Sequence, residues 1–194
     1  MPRQVDHDQR RAELSQAVWQ VVGERGLDGL TLRAVAGAAG CTTGRVAHYF
    51  ADKEALLAHA RDIMHRRMTE RIEALPTGTG PRARLRAVLL EGLPLDAERL
   101  LLTTVWAYFL IAAHSSAMLR AEHDQRHASW IGRLTGLLRA AYPQPPADLD
   151  LRVRGLVALL DGLAVYAVTT PHTYPPELLV RTLDNHLELL GVMP

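Results

Sequence analysis

The chain has 194 residues, 48% hydrophobic and 22% charged, the balance of a globular protein large enough for one or two packed domains. A formal net charge of +1 gives no bulk attraction to nucleic acid, and a single cysteine excludes an internal disulfide framework. The opening MPRQVDHDQRR is too polar for a secretory signal. The most apolar run, 100–113, is too short and too interrupted by threonine to span a bilayer, so a cytoplasmic protein without membrane contact is expected.

Residues 1–8 read as a polar tail, expected to fray. A basic arm at Pro2 and Arg3 can touch a minor groove or phosphates, or be plain disorder. A first helix is expected over 8–25, with Leu14, Ala17, Val18, Val21 and Val22 as its apolar stripe and Gly26 as its C-cap. Arg10 and Arg11 lie opposite that stripe, either as phosphate contacts or as a solvated face.

Everything else is organised around TLRAVAGAAGCTTGRVAHYFADK, residues 31–53. Thr31 and Thr42 are N-cap residues for two short helices, Gly40 suits the left-handed position between them, and Asp52 caps a third helix starting at Lys53. Each piece is about two turns long, too short to stand alone. Two short helices across a glycine-containing turn make a helix-turn-helix plan. With Val46 and Phe50 buried, Thr42, Thr43, Arg45, His48 and Tyr49 face outward, where they can donate to base edges or phosphates. Gly44 leaves room for a close approach. The same face also reads as the polar outside of a helical corner. Within 32–53, Arg33, Arg45 and Lys53, the only lysine in the chain, outweigh Asp52. So few cations imply modest affinity per copy, and hence a dimer on DNA.

GLDGLTLRAVAGAAGCTTGRVAHYFADKEALL resembles the N-terminal signature of the tetracycline-repressor-like (TetR) family of bacterial transcription regulators. The matching elements are the Thr31 start, the Ala39-Gly40 turn, Thr43-Gly44, Tyr49-Phe50 and Lys53. Two positions depart from the pattern. Cys41 stands where valine is usual. Ala47 stands where many members carry a phosphate-contacting tyrosine, a contact missing here. The HYF run after a small residue resembles the betaine-synthesis (BetI-like) branch.

Helix 4 is expected over 53–75, striped by Leu56, Leu57, Ala60, Ile63, Met64, Met68, Ile72 and Leu75. Lys53 lies in its first turn, where a phosphate is attracted. Arg61, Arg66, Arg67 and Arg71 are expected on its exposed sides. PTGTGP at 76–81 is the clearest boundary. Helices over 82–93 and 96–113 follow, the latter apolar nearly all round and therefore expected at the centre of the second half. Helix 7 is expected over 117–142, helix 8 over 147–169 and helix 9 over 177–190. Helices 8 and 9 carry more apolar surface than one face can bury, and Gly155 and Gly162 permit close approach, so this pair is expected to meet its own copy in a four-helix interface. LVALLDGLAVYAV and PPELLVRTLDNHLELL resemble the C-terminal region of BetI-like regulators.

Trp106, Tyr108, Phe109, Trp130 and Tyr166, with Met64, Met68 and Met118, can line an apolar cavity or simply fill a core. The resemblance implies an inducer site in this half. The ligand candidates are Met64, Met68, Trp106, Phe109, His114, Trp130, Asp161 and Tyr166, with His114 and Asp161 as polar orienting groups. His123 and His127, four residues apart, have metal-ligand spacing but no evident third ligand; two exposed histidines on a polar face are the plainer reading. No nucleophile motif, phosphate loop or carboxylate pair appears, so no cofactor, metal or enzymatic activity is expected.

The expected protein is all-α with about nine helices: an N-terminal helix-turn-helix DNA-binding domain, 1–52, and a helical ligand-binding and dimerisation domain, 53–194. Thr31, Arg33, Thr42, Thr43, Gly44, Arg45, His48, Tyr49 and Lys53 are the expected DNA-binding residues. A homodimer joined through helices 8 and 9 would repress from a palindromic double-stranded operator until a small-molecule inducer releases it. The alternative is a helical metal-binding protein or enzyme using His123 and His127.

Overall fold

The computed structural model describes the backbone of residues 2–194, and the side chains of these other than residues 2–9 and 11. The side chains of the expected arm, Pro2 and Arg3, and that of Arg11 lie outside what is described. Among those described, nine α-helices and no strand are found: α1 Pro2–Arg25, α2 Leu32–Ala38, α3 Thr43–Tyr49, α4 Lys53–Glu73, α5 Pro81–Glu91, α6 Ala97–Ser115, α7 Ala117–Ala141, α8 Leu149–Thr169 and α9 Pro176–Leu189. The first helix begins well before residue 8, where fraying was expected. A proline at the first helical position loses no intrahelical bond. No helix among the described residues is long and apolar enough to cross a membrane.

Local chemistry sets the helix ends. Oγ1 of Thr31 accepts from the amide of Ala34 at 3.1 Å, Oγ1 of Thr42 from Arg45 at 3.2 Å, and Oδ1 of Asp52 from Ala55 at 2.9 Å. Gly40 closes α2 at φ +61°, with its amide on Gly37 O and the Cys41 amide on Ala36 O, the two bonds of a Schellman turn.

The first core joins Leu14, Val18, Val21 and Val22 of α1 to Val35, Val46, Phe50, Leu56 and Ala60. It also takes in Leu102, Val105, Phe109 and Ala113 of α6. The helix expected to centre the second half packs against α4, α7 and α8, and its buried stripe joins the core of the N-terminal helices. Leu100, Tyr108 and Ile111 of the same helix face outward, which is why the sequence reads as apolar all round. Packing also runs on past residue 52, because α4 buries Leu56, Leu57, Ala60, Ile63 and Met64 in that same core. The second core gathers Leu85, Leu89 and Leu93 with Leu134, Leu138, Val153, Leu156, Leu179, Leu183 and Leu187.

A polar seam joins the two. Arg71 of α4 holds Glu91 at 2.7 Å and Glu98 at 3.0 Å, Arg126 of α7 holds Asp62 at 3.0 Å, and Arg84 donates to the carbonyls of Ile72 and Leu75 at the end of α4. The arginines of α4 thus do not all lie outward as expected. Arg71 is tied into this seam and Arg61 is buried. α9 uses Leu179, Leu183 and Leu187 internally, so the surplus apolar surface of the last two helices sits mainly on α8, at Leu151, Val165 and Tyr166.

Candidate nucleic-acid interface and internal cavity

The capped turn holds α3 with one edge on the core. Val46 and Phe50 are buried, while Thr42, Thr43, Gly44, Arg45 and His48 are exposed along the other edge. Thr31 and Arg33 at the start of α2, and Lys53 at the start of α4, are exposed too. Tyr49 is half-buried, its ring meeting that of His48 edge-on at 5.4 Å between centroids. The hydroxyls of Thr31 and Thr42 each accept a backbone amide and keep their O–H donor for an outside partner, the right polarity for a phosphate oxygen. A Cβ added to Gly44 would meet nothing closer than Thr42 Oγ1 at 4.0 Å, so this glycine is not required by the packing of the chain itself.

A cavity of about 220 Å³ lies between α4, α6, α7 and α8. Five of the expected ligand residues, Met64, Met68, Trp106, Trp130 and Asp161, line it. Three expected ligand residues do not reach it. Phe109 is wholly buried in the first core, where the Arg61 guanidinium lies over its ring at 5.7 Å. His114 is exposed at the end of α6. Tyr166 is 51% exposed on the outer face of α8, stacked on Tyr174 at 4.8 Å. Met118 is exposed as well. Tyr166 stands on the face of α8 opposite the cavity, while Phe109 and His114 lie further along α6 than its lining residues Leu102, Thr103 and Trp106, placements that aromatic content alone does not reveal.

The polar wall is richer than the sequence suggested. Arg61 and His65 of α4, Glu91 at the end of α5, Thr103 of α6, and His123, Arg126, His127 and Arg133 of α7 all line the cavity. His123 and His127 face inward with their rings stacked 5.6 Å apart, instead of lying on an outer polar face. Among the described residues no group of three or more His, Cys, Asp or Glu is arranged to hold a metal. Burial lowers the His123 pKa, helped by the neighbouring His127 and Arg61; burial also lowers that of His65, with Arg126 and Arg61 adding to it. Burial pushes Asp161 up to about 6, with His127 working against the shift. Burial pulls Arg61 down to about 10, with Arg126 adding to the effect. One signal in the sequence could have found Arg61: it falls in phase with Leu57, Met64 and Met68, on the apolar stripe of α4.

A helix-turn-helix head joined by one long helix to a helical body with an internal cavity defines a DNA-binding transcriptional regulator. Residues 15–60 match the family model for bacterial regulatory proteins of the tetR family, and residues 81–192 that for the C-terminal part of BetI-type transcriptional repressors. The chain belongs to the tetR family, with a BetI-type C-terminal region. It is 31% identical to the transcriptional regulator PksA of Bacillus subtilis, over 99% of this chain and 95% of that one. A transcriptional regulator from Rhodococcus superimposes with a TM-score of 0.81 at 30% identity, over 92% of this chain and 94% of that one. A transcriptional regulator from Saccharomonospora viridis, solved in complex with choline, has the same fold at a TM-score of 0.82 and 18% identity, over 93% of this chain and 96% of that one.

Proposed function

We propose that this regulator acts as a homodimeric repressor that a small molecule releases from its operator. The observation carrying this is α4 itself. Its 21 residues form one unbroken rod about 30 Å long, with Lys53 at its DNA-facing start and Arg61, Met64, His65, Met68 and Ile72 on the cavity wall. Whatever fills the cavity presses on the same helix that carries the reading head.

In this reading α3 enters a major groove. Arg45 reads a base edge, the fork of a guanidinium suiting guanine O6 and N7. Thr31, Arg33, Thr42, Thr43, His48, Tyr49 and Lys53 hold backbone phosphates, and Gly44 lets the duplex close in. α8 and α9 meet their own copies. Support comes from the outer face of α8, where Leu151, Val165 and Tyr166 are exposed and a Cβ on Gly155 or Gly162 would meet nothing within 4 Å. Two heads so joined match half-sites about 34–36 Å apart, and a small tilt of α4 spoils that match. The effector shifts the balance only by its preference for one of the two states. That a regulator of this fold has been solved with choline is in keeping with an effector site. In this reading the regulator is not an enzyme and works in the cytoplasm.

The test is selection of bound duplexes from random oligonucleotides, then anisotropy titration of the winning sequence. A palindrome bound by two copies, with affinity falling steeply in salt, is expected. Failure to enrich any sequence at low ionic strength, or a single copy per duplex, overturns the proposal.

A further inference from the structure

The cavity holds an unusual cation. Arg61 is 6% exposed, makes no ion pair among the described residues, and its Nε has no hydrogen-bond partner there. Among the described residues its one hydrogen bond is Nη1 to the thioether sulfur of Met64 at 3.3 Å, a weak acceptor, and its guanidinium lies over the Phe109 ring at 5.7 Å. The nearest acids are already engaged: Asp62 and Glu122 each lie 3.0 Å from Arg126. Glu91, another acid on the wall, is held by Arg71 at 2.7 Å and Arg99 at 3.3 Å. Nδ1 of His123, on the same wall, is likewise buried without a partner. Buried donors of this kind are rare in folded proteins, and a buried charge without a counter-charge rarer still.

We propose that the effector is a small amphipathic monocarboxylate, its carboxylate paired with Arg61 and its apolar body lying among Met64, Met68, Trp106 and Trp130. This rests on the reading of the cavity as the effector site, and it names the chemistry that site selects. The guanidinium edge offers two parallel N–H bonds to a planar carboxylate, the geometry in which arginine binds most selectively. The anion supplies the missing charge, and a neighbouring His123 donor can take its second lone pair. Asp161, the acid on the wall not engaged in an ion pair among the described residues, is ionised above about pH 6 and then opposes an anion, but burial makes it take up a proton more readily than an exposed acid, which lowers that cost. A volume of about 220 Å³ suits an occupant smaller than the drug-sized ligands of ~300–1,000 Å³ pockets. A quaternary ammonium would bring a second unpaired cation beside Arg61.

The test titrates the full-length protein, bound to its selected operator and free, with octanoate, 3-phenylpropanoate, octanamide and octyltrimethylammonium. Trp106 and Trp130 fluorescence reports occupancy. Octanoate is expected to bind roughly tenfold or more tighter than octanamide, because a hydrogen bond to a charged partner is worth ~1.5–3 kcal/mol. Arg61→Met is expected to erase that preference while unfolding at the same or a higher temperature than the parent when unliganded, since it removes an uncompensated buried charge. Should Arg61→Met fail to fold, the octanoate-to-octanamide ratio of the parent protein decides by itself. The inference is overturned if octanamide or octyltrimethylammonium binds the parent as tightly as either carboxylate, if none of the four binds, or if Arg61→Met keeps the preference. Carboxylate binding that leaves operator affinity unchanged supports the site and overturns the effector reading. Release of DNA by octyltrimethylammonium alone does the reverse.

Discussion

Asp161 tests the electrostatics of the cavity directly. Burial raises its pKa from 3.8 to about 6. The folded chain therefore keeps a proton between those limits that the unfolded chain has already lost. Stability falls as pH rises through that window and is level above it, because both states are then ionised. At about 1.4 kcal/mol per pH unit, the full window is worth about 3 kcal/mol, and solvent reaching the half-buried carboxylate trims this. Asp161→Asn removes the charge and keeps the shape. From pH 4.5 to pH 7.5 the parent loses about 2 kcal/mol that the variant does not. The assay is urea unfolding of both proteins, without ligand, at the two pH values and one protein concentration. Taking the difference of differences cancels the other carboxylates and any fixed cost of the amide. An equal effect at both pH values, or a larger gain for the variant at pH 4.5, refutes the reasoning.

Arg45→Ala should weaken operator binding by ~1–3 kcal/mol in anisotropy titrations, with relaxed preference at one base pair and an unchanged unfolding midpoint, because this side chain is exposed. Gly44→Ala should separate folding from recognition: the first turn of α3 gains roughly 0.4–1 kcal/mol in denaturant unfolding, mainly from the lost freedom of the unfolded chain, while the added methyl obstructs the duplex and lowers affinity. Tyr166→Glu, at an outward position on α8, should weaken self-association roughly tenfold or more in light scattering and leave a folded monomer. An unchanged dimer would move the interface elsewhere.

The reading head was legible because its determinants are local. A hydroxyl three residues before an amide, or a glycine where φ must be positive, needs no knowledge of the rest of the chain, and Thr31, Thr42, Asp52 and Gly40 each do what their neighbours require. The cavity was legible only in part, because which face of an apolar helix points inward is decided by tertiary packing. Trp106 and Phe109 are three residues apart, yet one lines the cavity and the other is sealed in the core beside it. Tyr166 was drawn inward by its ring but lies outside, against Tyr174. The converse error came from charge. Arginines and histidines are usually surface residues, so Arg61, His123 and His127 read as a solvated face, although the phase of Arg61 along α4 placed it among leucine and methionine.

The chain meets almost all its cationic needs with arginine, and its one side-chain amine, on Lys53, sits exposed at the first turn of α4. Amine-selective reagents therefore have a single side-chain target, on the surface assigned to the duplex. Its modification in the presence and absence of operator becomes a one-residue footprint. The same economy leaves the effector-bearing body free of side-chain sites for lysine acetylation, so any control by that chemistry would have to act at the reading head.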